Sequence, residues 1–284
     1  MSNGKKVLVA GGTGYLGRYV LNEFKSRGWF VRALVRSPER LGELRGNIDE
    51  TIKGEITDPT SIEGICKKMD VVFSSVGITR QKDGLTYMDV DYQANLNLLR
   101  EAQKCGVGKF IYVSVLNGER MRHLKICNAK EIFVEELKKS GLDYSIIRPN
   151  GFFSDMADFY KMARKGRVYL FGNGELKANP IHGEDLAAVC VASTEQPRQE
   201  INVGGPEILT QNEIAITAFN VLGLEPKITH IPDWIRTVIL KLVRMFTGSK
   251  TYGPIEFFLT VMAMDMLAPQ NGKHTLRDFF SDLS

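Results

Sequence analysis

A chain of 284 residues with 43% hydrophobic and 25% charged side chains can bury a sizeable core, which suits one large α/β domain or a nucleotide domain with a smaller appendage. Its 37 Lys and Arg against 33 Asp and Glu leave a net charge of +4, too slight and too dispersed for a dedicated nucleic-acid surface. Cys66, Cys105, Cys127 and Cys190 form no C-x-x-C pair, and His123, His182, His230 and His274 are scattered, so the spacing offers no metal site and fits reduced thiols. Met1 to Lys6 run straight into a strand, leaving no room for a signal peptide, and no apolar stretch reaches the ~18 residues of a bilayer span. The expectation is a cytoplasmic protein.

In chain order, Val7–Ala10 reads as a buried strand bounded by Gly11, and Leu16, Val20 and Phe24 then recur at helical spacing until Gly28. Phe30–Val35, Glu50–Lys53 and Val71–Ser75 read as strands. Tyr92, Leu96, Leu99 and Ala102 stripe a helix ending at Gly106, before the strand Phe110–Val113. A helix from about Ala129 to Lys139 is closed by Ser140 and Gly141, and Tyr144–Ile147 is the next strand. This alternation predicts a doubly wound parallel Rossmann sheet over 1–150.

After Arg148 and Pro149 the rhythm loosens, and 151–284 reads as a smaller, mostly helical substrate or lid region packed on the first domain. One or more strands, near 201–203, would return to the sheet. Phe152 and Phe153, the basic stretch Lys161 to Arg167 and the turn Gly172-Asn173-Gly174 look like a lid or connection. From Leu209 onward the pattern is helical, capped by Thr210 and broken at Pro226 and Pro232. Between Trp234 and Phe246, Arg236, Thr237, Lys241 and Arg244 share one side of a helical wheel, with Ile235, Val238, Ile239, Leu242, Val243, Met245 and Phe246 on the other. Such a helix fits the packed core, a hydrophobic substrate wall or peripheral contact with a membrane surface.

The turn Gly11-Gly12-Thr13-Gly14-Tyr15-Leu16-Gly17 sits between a buried strand and an amphipathic helix, the context that gives G-x-x-G-x-x-G its meaning. Gly11 permits the turn, Gly14 lets amides approach a pyrophosphate and Gly17 allows close helix–strand packing, while Thr13 could add a hydroxyl. NAD sites place an acid after the second strand to hold the ribose 2′-OH. Here Arg36 stands in that place, with Ser37 and Arg40 nearby, and a guanidinium suits a 2′-phosphate. NADP(H) is therefore favoured over NAD(H) as cofactor.

With Gly54-Glu55-Ile56-Thr57-Asp58, Tyr112-Val113-Ser114, Lys130, Ile147-Arg148-Pro149, Phe171-Gly172-Asn173-Gly174, Pro180 to Ala187 and Val203-Gly204-Gly205-Pro206, the chain resembles the atypical extended short-chain dehydrogenase/reductases. Asp91-Tyr92-Gln93-Ala94, Ala129-Lys130 and Tyr144 to Pro149 resemble the divinyl chlorophyllide 8-vinyl reductases within that group. The resemblance implies that Glu55 and Ile56 flank the adenine and that Ser75, Val76 and Gly77 run along the adenosine ribose. It puts Ser114 and Lys130, the candidate catalytic pair, near the nicotinamide ribose, with Pro149, Asn150 and Phe152 beside the ring.

The wider family's Tyr-x-x-x-Lys acid is missing, because Ile126 stands four residues before Lys130. Tyr112, Tyr144 and Tyr160 could each supply a proton, although Tyr112 and Tyr144 sit in strands, where a tyrosine is more often core, and nothing in the sequence selects one. Asn128 with Glu131 reads as a capping box that puts Lys130 in the first helical turn, against the helix dipole and inside the apolar arc. A lysine so placed points to an anion or hydroxyl pair nearby. The leading expectation is an NADP(H)-dependent reductase of a polarised double bond in a small hydrophobic substrate, with Phe152, Phe153, Met156 and Phe159 as pocket wall. The rivals are a non-catalytic NADP(H)-sensing regulatory protein and an assembly factor.

Overall fold

The computed structural model describes residues 4–78 and 84–284. Strand β1 (Lys6–Ala10) is buried almost completely, the glycine turn follows, and helix α1 (Tyr15–Ser26) turns Leu16, Val20, Leu21 and Phe24 inward until Gly28, at φ 77°, releases the chain. Next come β2 (Phe30–Val35), β3 (Glu50–Lys53) and β4 (Val71–Ser74). A π-helical segment (Met88–Ala94) runs directly into α2 (Asn95–Lys104). Then follow β5 (Lys109–Val113), α3 (Lys125–Lys139) and β6 (Asp143–Pro149), and after them α4 (Phe153–Arg164), β7 (Val168–Phe171), β8 (Lys177–Ala178), α5 (Gly183–Ala192) and β9 (Gln199–Val203). The chain ends with β10 (Leu209–Thr210), α6 (Gln211–Leu222), β11 (Ile228–Ile231), α7 (Asp233–Phe246), α8 (Ser249–Val261) and α9 (Leu276–Ser281).

The main sheet has seven strands in the order β3-β2-β1-β4-β5-β6-β9, with parallel registers such as Val9 beside Ala33 and Phe73. This is the doubly wound Rossmann arrangement expected from the alternation of apolar runs. The order reverses between β1 and β4, and in open α/β sheets that switch point opens a crevice at the strands' carboxyl ends. Ala10, Val35 and Ser74 end there, so the glycine turn, Arg36 and Ser75–Gly77 emerge along one edge. Leu8, Val72, Phe110 and Tyr112 on the sheet meet Leu98, Leu99, Phe133 and Leu137 from the helices, and a fully buried side chain of this size contributes about 1.5–3 kcal/mol.

The chain forms two compact units, Met1–Arg148 with Leu186–Ile201, and Pro149–Asp185 with Asn202–Ser284. In the second, Phe153, Met156 and Phe159 of α4 pack with Ile214, Phe219 and Phe280 in a closed core. The segment read as a loose lid is thus a regular helix followed by β7. Its aromatic residues are core rather than pocket wall, because their helical spacing serves α6 and α9. Between Pro226 and Pro232 the chain is a strand, β11, paired in parallel with β7. Thr210 does cap α6, accepting from Glu213 N–H while the Glu213 carboxylate accepts from Thr210 N–H at 2.7 Å.

Two local readings need correction. Helix α3 begins at Lys125, so Asn128 is inside it, donating its N–H to the Leu124 carbonyl at 2.9 Å. Lys130 therefore lies in the second turn, away from the helix's positive end. No residue of α7 is buried, and its solvent face carries Trp234, Val238, Leu242, Met245 and Phe246 as well as Lys241 and Arg244. The helix rests instead on half-buried Ile235, Ile239 and Val243.

Candidate functional site

The glycine turn closes by a bond from Gly14 N–H to the Gly11 carbonyl at 3.0 Å, with Gly11 at φ 90° where a side chain would be strained. A Cβ on Gly17 would collide with the Gly11 carbonyl, so that position is fixed by packing of α1 on the turn. Gly14 differs. It is exposed, and a Cβ there would meet only the Gly11 carbonyl, at 3.3 Å. Its need for a small residue is therefore not internal packing but open space above the helix. Gly14 is also the N-cap, without a side chain to occupy the first amides, and the first turn carries no acid. An anion over this end meets amides and the positive pole of the helix dipole. Thr13 is half-buried on the same turn.

Arg36 stands exposed after β2, its Nη1 3.8 Å from Glu55 Oε2, and both side chains remain largely in solvent. Such a pair contributes at most about 1 kcal/mol, so the guanidinium stays available to a stronger anion. Ser37 accepts from Arg40 N–H at 3.1 Å, and the Arg40 carbonyl accepts from the Arg18 guanidinium at 2.5 Å, which ties this loop to α1. Glu55 is held by its N–H to Ser61 Oγ at 2.7 Å, and the carbonyl of buried Ile56 accepts from Asn97. Ser75 hands its N–H to the Ala10 carbonyl at 3.2 Å, and Val76 its N–H to Ser74 Oγ at 3.3 Å. Gly77 is exposed at the end of this run.

Beside Gly77 lies the most unusual group of charges. Lys130 Nζ is 3.0 Å from Oδ1 of fully buried Asp91, and only 13% of the lysine side chain is exposed. Asp91 Oδ2 accepts from Ile78 N–H at 3.3 Å. A Cβ on Gly77 would come 2.5 Å from Asp91 Oδ1 and 2.9 Å from Lys130 Nζ, so a glycine keeps the pair open to the edge. Burial works against the Lys130 charge, but Tyr112 and Asp91 outweigh it and hold the ammonium above its ordinary pKa. Burial drives the Asp91 carboxyl above its ordinary value, and Lys130 offsets that rise. Tyr112, under the lysine at 5.5 Å from Nζ to ring centroid, is wholly buried, and burial pushes its phenol up to about 12. It is a poor proton donor to anything outside.

Asp91 reaches this position through the π-helical turn. Asn95, fully buried, accepts from Ser74 Oγ at 2.6 Å and sets its amide nitrogen 3.1 Å from the Val76 carbonyl, 3.2 Å from that of Val90 and 3.1 Å from that of Asp91. The side chain thus takes up carbonyls that a wider helical turn leaves unmatched, and it ties them to the loop after β4.

Lys130's neighbour points elsewhere. Glu131 is wholly buried and accepts two bonds from Arg148, 2.5 Å to Nη1 and 2.8 Å to Nη2, and one from Ser114 Oγ at 3.0 Å. Glu131 is therefore a buried anchor for Arg148 and not the second half of a helix cap. Ser114, placed near Lys130 by the resemblance, is 5% exposed with its hydroxyl proton given to Glu131. In the second unit, Pro149 and Asn150 are buried. Asn150 spends its amide on Asn179 at 2.9 Å and on the Met266 carbonyl, and Phe152 caps α4 with its N–H on Asp155 at 3.0 Å.

The histidines are less scattered than the sequence spacing implies. His182 and His274 stack with ring centroids 4.3 Å apart, and His182, Glu184 and His274 present ligand-type atoms within 4.8 Å of one another. Asp185 binds this corner together, accepting from His274 N–H at 3.0 Å and Lys273 N–H at 3.1 Å while Oδ1 lies 2.8 Å from His274 Nδ1. Sequence reasoning assigns Asp91 no role and Glu131 only that of a helix cap, whereas Tyr112 is buried as its place in a strand suggests. The only signal for Asp91 was its place in the resemblance, since 39 positions separate it from Lys130.

Comparison with known proteins accords with this geometry. The family described as NAD(P)H-binding matches residues 11–197. The divinyl chlorophyllide a 8-vinyl-reductase of Arabidopsis thaliana is 31% identical over 97% of this chain and 76% of its own. The photosystem II assembly factor Ycf39 of Synechocystis is 27% identical over 85% of this chain and 74% of its own. Among solved structures, AtPrR2 with NADP+ and (+)pinoresinol superposes with a TM-score of 0.77 at 16% identity, covering 100% of both chains, which speaks for the fold alone.

Proposed function

The chain belongs to the NAD(P)H-binding family, as an atypical extended short-chain dehydrogenase/reductase akin to the divinyl chlorophyllide a 8-vinyl-reductases, and on that premise we propose that it is an NADP(H)-dependent reductase of a hydrophobic small molecule. The observation that carries this reading is the buried Lys130–Asp91 pair held open beside Gly77. A charged, anchored lysine at the carboxyl edge of a Rossmann sheet serves to fix a hydroxyl-bearing ligand in one orientation. The bound dinucleotide would supply hydride to a polarised double bond.

In this reading Gly11, Thr13, Gly14, Tyr15, Leu16 and Gly17 form the pyrophosphate cradle, and Arg36 with Ser37 and Arg40 holds the 2′-phosphate. Glu55 and Ile56 border the adenine, and Ser75, Val76 and Gly77 border its ribose. Lys130 donates to the nicotinamide ribose and is a positioning residue, with Asp91 as its fixed counter-charge. Ser114 supports Lys130's helix through Glu131. Pro149, Asn150 and Phe152 stand at the start of the segment that would border the ring. No side-chain acid is assigned, because Ile126 cannot transfer a proton and Tyr112 is enclosed.

The same missing acid favours a second reading, a non-catalytic NADP(H)-responsive protein, to which the likeness to an assembly factor adds weight. The two separate in one experiment. NADPH oxidation is followed against enones, quinones, aldehydes and tetrapyrroles, with product analysis, alongside calorimetric NADPH binding. A reductase consumes NADPH with at least one class. Tight binding with no turnover across the panel overturns the reductase reading and favours the sensor. Gly14→Val provides the control, since it should keep the fold and abolish binding.

A further inference from the structure

We propose that α7 is a docking surface for an anionic lipid membrane. Trp234, Met245 and Phe246 are 66%, 67% and 75% exposed, and Val238 and Leu242 lie between them on the same side of the helix. Placed 100° apart per residue, Trp234, Met245, Val238 and Leu242 fall within about a quarter-turn, an apolar stripe that faces solvent along its length. Isolated exposed apolar side chains need no explanation, but a contiguous stripe does.

Charge indicates the occupant. Lys241 and Arg244 border the stripe, and neither has an ion pair among the described residues. The only acid of the helix, Asp233, is already taken by Arg236 at 2.7 and 3.0 Å. Arg236 also reaches the Leu259 carbonyl at 3.4 Å, so its end of α7 is fastened to α8, where Phe258 is exposed too. Packing the stripe against a second copy would bring Lys241 and Arg244 of each near like charges, with the one carboxylate of α7 already engaged by Arg236. A lipid surface has no such conflict. Apolar side chains enter the acyl boundary, the flanking cations reach phosphate, and a tryptophan sits at headgroup depth. The 14 residues make a helix about 21 Å long, too short to cross and suited to lying in the plane.

The inference stands apart from the reductase reading, and its test needs no substrate. The full chain is sedimented with phosphatidylcholine vesicles with and without phosphatidylglycerol while tryptophan emission is recorded. Of the two tryptophans Trp29 is buried, so a blue shift reports Trp234. Binding should require phosphatidylglycerol, and Leu242→Glu with Met245→Glu should weaken it at least about tenfold. Lys241→Glu and Arg244→Glu should each weaken it about fivefold and make what binding remains less sensitive to salt. All four positions are exposed, and NADPH affinity, unchanged, would certify the fold. Failure to bind phosphatidylglycerol vesicles, equal binding to phosphatidylcholine alone, or a dimer in solution that the Glu substitutions dissolve would each overturn the proposal.

Discussion

Lys130 and Glu131 are adjacent on α3, both largely buried and both in ion pairs, yet the two pairs are built differently. Glu131 receives two bonds from one guanidinium and one from a hydroxyl, and every partner is itself enclosed. Lys130 has a single carboxylate at 3.0 Å, a phenol beneath it and a glycine beside it that leaves the ammonium facing the edge of the sheet. A buried ion pair with its bonding capacity filled holds structure. One with donors to spare, kept charged by a neighbour and open on one side, is equipped for a ligand. The helix periodicity that sends successive residues to different sides puts the closed pair and the open pair one residue apart.

The largest effect should come from the closed pair. Arg148→Met leaves the Glu131 carboxylate enclosed with a hydroxyl and no cation, and removal of one buried partner costs about 3–5 kcal/mol. Urea denaturation should show that loss, and a loss no greater than that of Lys130→Met would erase the contrast. Lys130→Met should cost less stability, because Asp91, already above its ordinary pKa through burial, takes up a proton in place of the lost charge. Its damage should fall on turnover, about a hundredfold at saturating NADPH once a substrate is known, the effect of misplacing a reacting group by ~1 Å. A protein that only senses NADP(H) would show altered affinity and nothing more.

Arg36→Asp should have a smaller effect, because the arginine is exposed and its bonds compete with water. We expect NADPH to lose about 1–2 kcal/mol of binding by calorimetry while NADH gains or stays level. Equal wild-type affinities for the two would remove Arg36 from cofactor choice. The mildest test lies in the second unit. Burial and then His274 lower the His182 pKa below its ordinary 6.5, so the unfolded chain binds the proton more readily. Stability from this group is complete above pH 6.5 and declines as the pH falls through the lowered folded value. A shallow drop in melting temperature between neutral pH and pH 5, flattened in His182→Phe, would confirm that sign.

Much of the first unit was legible because its strands are short apolar runs between glycine or polar breaks, and β1 to β6 follow them closely. The charge sites were less so. Asn128 and Glu131 have the spacing of a helix cap, yet spacing cannot reveal that Arg148 claims the carboxylate from β6. Asp91 and Lys130 meet only because the π-helical segment packs against α3, two elements far apart in the chain. The segment after Pro149 misled in a different way. Phe153, Met156 and Phe159 are apolar enough for a ligand wall or a core, and only α6 and α9 packed against them decide which. On α7 the apolar arc is itself split, Ile235, Ile239 and Val243 turning inward and Trp234, Val238, Leu242, Met245 and Phe246 outward beside Lys241 and Arg244, a division that no helical wheel reveals.

The π-helical turn before α2 gives Asp91 a peculiar dependence on chain length. A π turn amounts to one residue more than the α-helix would use, so Asp91 is aimed by a count of residues as much as by its own identity. Deleting a single residue from Met88 to Val90 would let the segment relax to α-geometry and swing position 91 about 100° around the axis, carrying the carboxylate away from Lys130 while every side chain of the pair is still encoded. Relatives that differ here by one insertion or deletion would therefore keep the lysine and lose its counter-charge, and in them the composition of this site would be no guide to its chemistry.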